Sequence, residues 1–98
     1  MTAREVLVSS GHLSRNLRDA ADWLDAHPNL PAPLFSLNAY TEHGVQLNFH
    51  VTTDADADAL FALTDGGTDH RYDDGDYARI ASGSLGSERL SLSVAVDR

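Results

Sequence analysis

Three carboxylates fall on alternate residues in Asp54-Ala55-Asp56-Ala57-Asp58, the pattern that opens a calcium-binding loop. Such a loop also needs glycine at its sixth position and a bidentate glutamate at its twelfth. Here those positions hold Ala59 and Asp65. In a helix, alternate residues sit about 200° apart and do not converge on one ion. Carboxylates in a first helical turn instead complement the positive end of the dipole. The stretch therefore reads as a helix start, capped by Thr52 or Thr53.

A denser group of donors follows in Asp69, His70, Asp73, Asp74 and Asp76. A hairpin tip folding several of these around one ion would suit calcium, magnesium or manganese. The same residue types also build tight, solvated turns, and that is the expected role. The five histidines have no pair at the four-residue helical spacing of a metallohydrolase, and the chain has no cysteine to assist with zinc. His27, just before Pro28, is expected to close a helix C-terminus. No cofactor is expected.

Nucleophilic catalysis has no recognisable motif. None of the nine serines lies in a Gly-x-Ser-x-Gly turn, and Gly83-Ser84-Leu85-Gly86 has the wrong spacing. No phosphate-cradling glycine loop is present, and a domain of this size seldom encloses a substrate. The residues best suited to recognition are uncharged. Asn38, Tyr40, Gln46, Asn48 and His50 alternate with apolar residues, so strands would place them on one wet sheet face, with Ser91 and Ser93 joining them. Amide and aromatic side chains of this kind make serviceable protein-binding surface.

The elements that must position these residues follow from periodicity. A helix is expected from a cap near Ser10 to Ala26, with Leu13, Leu17, Ala20 and Leu24 as its apolar stripe, Ala21 adjoining and Trp23 at its edge. Residues 1–9 form an extension before it, flexible or helical, because Ser9-Ser10-Gly11 interrupts the capping-box start at Thr2-Ala3-Arg4-Glu5. Pro28 stops the helix, and Pro31 and Pro33 stiffen the connector. Strands follow over 35–40 and 45–51, with Phe35, Leu37, Ala39, Val45, Leu47, Phe49 and Val51 as the apolar set. They are joined by a loop at Thr41-Glu42-His43-Gly44. The second helix uses Ala55, Ala59, Phe61, Ala62 and Leu63 as its apolar side and ends at Gly66-Gly67.

Three more strands complete the chain. Thr68 to Tyr72 turns at Asp73-Asp74-Gly75-Asp76 into Tyr77 to Ser84, where Ala78 and Ile80 alternate with Tyr77 and Arg79. Leu85-Gly86-Ser87-Glu88 leads to a last strand with Leu90, Leu92, Val94 and Val96 on one face. The expected fold is α+β, order α-β-β-α-β-β-β, a two-layer sandwich in which two helices cover one face of an antiparallel sheet of about five strands. Residues 1–98 form a single domain.

Charge narrows the partners. Fifteen acidic residues, twelve of them Asp, oppose seven basic ones, all Arg, for a net charge of −8. That balance repels nucleic-acid phosphates and anionic membranes. Neither direct nucleic-acid binding nor membrane association is expected, and a cytoplasmic location follows from the lack of cysteine, signal peptide and long apolar run.

The passage Ala20-Ala21-Asp22-Trp23-Leu24-Asp25-Ala26-His27-Pro28-Asn29-Leu30-Pro31-Ala32-Pro33 resembles the helix-to-strand passage of small uncharacterised proteins of actinobacteria, their phages and their integrative elements. The resemblance spans the first third to half of the chain. It implies genomic company and carries over no catalytic or binding residue. The reading that follows is a non-enzymatic, protein-binding accessory protein of a bacterial mobile element or phage. Homodimerisation is one solution for its unprotected sheet edges. The alternatives are an acidic mimic of DNA that blocks a nucleic-acid-binding protein, and a small metal-dependent or hydrolytic enzyme.

Overall fold

The computed structural model describes residues 3–40, 44–87 and 89–98, and side chains outside 3–12 and Tyr40. The element order is α1 (Ala3–Ala26), β1 (Ser36–Tyr40), β2 (Gly44–Val51), α2 (Asp54–Phe61), β3 (Gly67–Arg71), β4 (Tyr77–Ser87) and β5 (Leu90–Asp97). The fold is α+β: two helices and a five-stranded open sheet in the order β1-β2-β5-β4-β3.

The sheet is mixed, which corrects the antiparallel expectation. The β1–β2, β3–β4 and β4–β5 pairs are antiparallel, but β5 lies beside β2 and runs parallel to it, from Val45↔Leu90 to Val51↔Val96. The cause is the crossover. Helix α2 and the β3–β4 hairpin separate β2 from β5, and the chain returns to fill the place next to β2 instead of adding to an edge. A strand so enclosed has hydrogen-bonded neighbours along both edges, while its Leu90, Leu92, Val94 and Val96 alternate with Ser91 and Ser93 as in a sheet with one open face.

Alternation in β2 and β5 produces the core. Val45, Leu47, Phe49 and Val51 point to the same face as Leu90, Leu92, Val94 and Val96, and all eight are buried. Ala20 of α1 and Ala57 and Leu60 of α2 pack into this cluster, with Trp23, Leu24, Leu30 and Phe61 at its margin. A fully buried Leu or Phe contributes about 2 kcal/mol relative to exposure, so this one face supplies most of the driving force for folding.

Several local expectations shift. Helix α1 starts at Ala3 and continues through Ser9-Ser10-Gly11. Its buried line passes through Asn16 and Ala20, while Leu17 and Ala21 are exposed. In α2 the buried residues are Ala57 and Leu60; Ala55 and Ala59 face solvent on the opposite side, because the helix docks by its 57–60–61 line. Thr53 is the N-cap, its hydroxyl accepting from the Asp56 amide at 3.2 Å. The loop residues 41–43 and Glu88 lie outside the described residues.

Gly44 opens β2 with φ of 86°, in the left-handed region that side chains avoid. A Cβ there would also overlap the Arg89 carbonyl, which accepts from the Val45 amide at 2.8 Å. This close approach seats the start of β2 against the start of β5.

Candidate functional site

The sheet face turned away from the core is built by the other half of the alternation. Cross-strand register sets Ser36, Asn48, Ser93, Ser82 and Thr68 in one row spanning all five strands. A neighbouring row runs Asn38, Gln46, Ser91 and Ser84, and another runs His50, Ala95, Ile80 and His70. The register thus brings Asn38, Gln46, Asn48 and His50 together, with Ser91 and Ser93 beside them. Tyr40 pairs with Gly44 through its backbone; its side chain is among those not described.

Side-chain hydrogen bonds run along the rows. Asn48 Nδ2 donates to Ser36 Oγ at 3.2 Å, Asn38 Nδ2 donates to Gln46 Oε1 at 3.4 Å, and the hydroxyls of Thr68 and Ser82 pair at 3.1 Å. None of the side chains in these three rows is a carboxylate, guanidinium or ammonium. In a chain of net charge −8, this is a sizeable uncharged patch.

An aromatic cluster stands at one end of the face. The His50 ring stacks on Phe35 with centroids 3.8 Å apart and planes 14° apart, and meets Tyr77 edge-on at 5.2 Å. His50 Nδ1 is 3.5 Å from Asp97 Oδ1. Phe35 was expected among the apolar inward set. It instead precedes β1, gives its amide to the Asn48 carbonyl at 2.9 Å, and lies 63% exposed over His50. The stacking on a half-buried imidazole replaces the core contact that alternation alone would assign it.

The Asp-rich segment divides between other tasks. Asp69 lies on the helix-covered face, where its carboxylate binds Arg79, while His70 faces the opposite way in the open rows. At the turn, the Arg98 guanidinium donates to the carbonyls of Tyr72, Asp74, Gly75 and Tyr77, and its amide donates to Asp76 O at 3.2 Å. Carbonyls of this turn therefore converge on a guanidinium. Asp69, His70, Asp73, Asp74 and Asp76 do not converge, and among the described residues no three histidine or acidic side chains gather to hold a metal ion.

Arg79 carries a charge cluster that the sequence pattern does not disclose. In β4 the residues facing the helices are Arg79, Ala81 and Leu85, all buried, whereas Ile80 belongs to the open face. Only 4% of the Arg79 side chain is exposed. Its guanidinium bonds Asp69 at 2.9 and 2.8 Å, Asp58 at 2.7 Å and Asp54 at 3.3 Å, and Arg71 adds a second bond to Asp54 at 3.2 Å. The hydrogen bond from Arg71 holds the Asp54 carboxyl below its ordinary range, with Arg79 adding to the effect. The Asp69 carboxyl is lowered mainly by its bond to Arg79, and Arg79 is held more firmly in its charged form by Asp69 and Asp58. The cluster fastens α2 to β3 and β4. The one sequence signal for it was the pairing of acids in the first turns of α2 with arginines at odd positions of the following hairpin.

At the end of α1, His27 does close the helix. Its Nδ1–H donates to the Trp23 carbonyl at 2.7 Å, and its ring stacks on the Trp23 indole at 4.1 Å. Beside it an apolar cleft of about 330 Å³ opens between the connector and α2, lined by Ala26, Pro28, Leu30, Ala59 and Leu63 as well as His27. It offers no second titratable side chain to work with His27. Among the described residues no helix is long and apolar enough to cross a membrane. Comparison with protein-family models, with curated proteins and with solved structures finds no match to this chain.

Proposed function

We infer that this chain is a non-enzymatic protein-binding accessory protein, and that it binds through the open face of its sheet. The observation that carries this reading is the row Ser36–Asn48–Ser93–Ser82–Thr68 with its uncharged neighbours, crossing every strand. Amide, hydroxyl and imidazole groups on a sheet present donors and acceptors without the desolvation cost of a charge. Asn38, Gln46, Asn48 and His50 are the contacts of this reading, with Tyr40 two residues after Asn38 at the end of β1. A partner of a phage or integrative element is in keeping with the resemblance of the 20–33 passage.

The acids give less support to mimicry of DNA. On α1, Arg15 and Arg18 precede the series Asp19, Asp22 and Asp25, and Asp54, Asp58 and Asp69 are matched by Arg71 and Arg79. These acids of α2 and β3 are thus taken up by arginines, which leaves the short α1 series to imitate a line of phosphates.

A paired capture tests the binding reading. Proteins retained from a host lysate by the native chain should be lost with Asn48→Lys and kept with Asp22→Asn on α1. Equal retention by Asn48→Lys would refute a role for the open face.

A further inference from the structure

The two edges of the sheet are defended unequally. Edge strand β3 reads Gly-Thr-Asp-His-Arg, and Asp69 and Arg71 place charge on it. Charged residues on an edge, especially inward-pointing ones, are a general means of blocking strand addition. Edge strand β1 reads Ser-Leu-Asn-Ala-Tyr and carries no charge and no proline. Large exposed apolar side chains gather at the same edge: Leu34, Phe35 and Leu37 are 36%, 63% and 37% exposed.

We propose that β1 is the seam of a symmetric homodimer, in which two copies pair β1 antiparallel and join their sheets into one of ten strands. The outer side of an edge strand has unpaired amides and carbonyls, so its occupant must itself be an extended segment. A two-fold axis at Asn38 makes β1 its own complement. Leu37 then opposes Ala39 of the other copy on the helix side, and Asn38 opposes its own counterpart on the open side, so both faces continue across the seam.

Charge chooses the second copy over a foreign strand. A basic peptide would be drawn to the acidic residues of α1, α2 and the β3–β4 tip, not to a segment with no charge from Leu34 to Tyr40. Two copies of net charge −8 repel wherever acids face each other, and this edge offers them a strand that itself carries no charge. The seam is only five residues long, so association should be weak. The dimer is independent of the binding reading above, but it would double the width of the open face.

Sedimentation velocity of the full chain from roughly 1 to 500 µM tests this, a range that reaches the concentrations a small interface needs. The native chain should pass from monomer to dimer, and Leu37→Lys or Asn38→Lys should remain monomeric while keeping the native circular dichroism spectrum and melting transition. Thr68→Lys on β3 should dimerise as the native chain does. As a second readout, β1 amides should exchange more slowly in the concentrated native sample than in Leu37→Lys. A native chain that stays monomeric throughout would overturn the proposal. So would a dimer that survives both β1 variants or is abolished by Thr68→Lys, the last placing the seam at the other edge.

Discussion

Arg79 grips the Asp69 carboxylate through two hydrogen bonds, 2.9 Å from Nε and 2.8 Å from Nη2, on the face of the sheet that the helices cover. Position 79 lies in line with Ala81 on β4, where an apolar residue would be the simple choice. The charge is accommodated because Asp58 and Asp54 reach down from α2 to share it. Removing the guanidinium should loosen α2 from the hairpin. Arg79→Ala should cost about 2 kcal/mol, combining lost packing of the aliphatic stem with lost hydrogen bonds. Thermal melts at pH 7 should show a fall of roughly 10 °C, and Arg79→Met, which keeps the volume, should lose less.

The same cluster sets a pH dependence. Asp54 and Asp69 have carboxyls lowered in the folded chain relative to the ordinary value of 3.8. Their contribution to stability is complete above that ordinary value and is lost as pH falls through the lowered folded values. Melting temperature should therefore decline with acidification below about pH 4. Arg79→Met should show a shallower decline over the same window, because the main cause of the lowering at Asp69 is gone.

Gly44 should tolerate no side chain. With φ at 86° and the Arg89 carbonyl in the way, Gly44→Ala combines an unfavourable backbone conformation with a clash. The expected loss is about 2–3 kcal/mol, measured by urea denaturation. Gly75 also has positive φ but nothing near its Cβ position, so Gly75→Ala should cost less than half as much.

Thr53 caps α2 through its contact with the Asp56 amide. Thr53→Ala should cost about 1 kcal/mol, and Thr53→Asp should retain most of the stability. Thr52→Ala, one residue earlier, should leave the melting temperature within about 2 °C of the native value, as surface changes away from caps usually do.

Much of this architecture was legible from residue rhythm. The alternation at 45–51 and 90–96 gave both strands and their buried faces, since a period of two leaves little choice when one face is apolar. The element order was equally readable from turn residues. What rhythm could not give was strand order: an apolar β5 suits a place beside β2 as well as one at an edge, and only the long α2–β3–β4 excursion makes the parallel pairing. Arg79 was unreadable for a different reason. A pattern that sorts residues into apolar and polar assigns arginine to water, and burial here depends on three carboxylates from two other elements. Phe35 shows the converse, an apolar residue drawn to the open face by an imidazole. The candidate surface was legible because Asn38, Gln46, Asn48 and His50 share strand parity; the full row through Ser82 and Thr68 needed the register.

The claim that this uncharged face recognises a protein is tested most directly by the side-chain amides of Asn38, Gln46 and Asn48, which report on it in nitrogen–proton NMR spectra. On titrating in a protein captured by the native chain, those three amide pairs and the backbone signals of Ser82 and Ser93 should shift or broaden together, while signals of Asp19, Asp22 and Asp25 on α1 stay in place. Shifts confined to α1 and α2, with the three amide pairs unmoved, would contradict it.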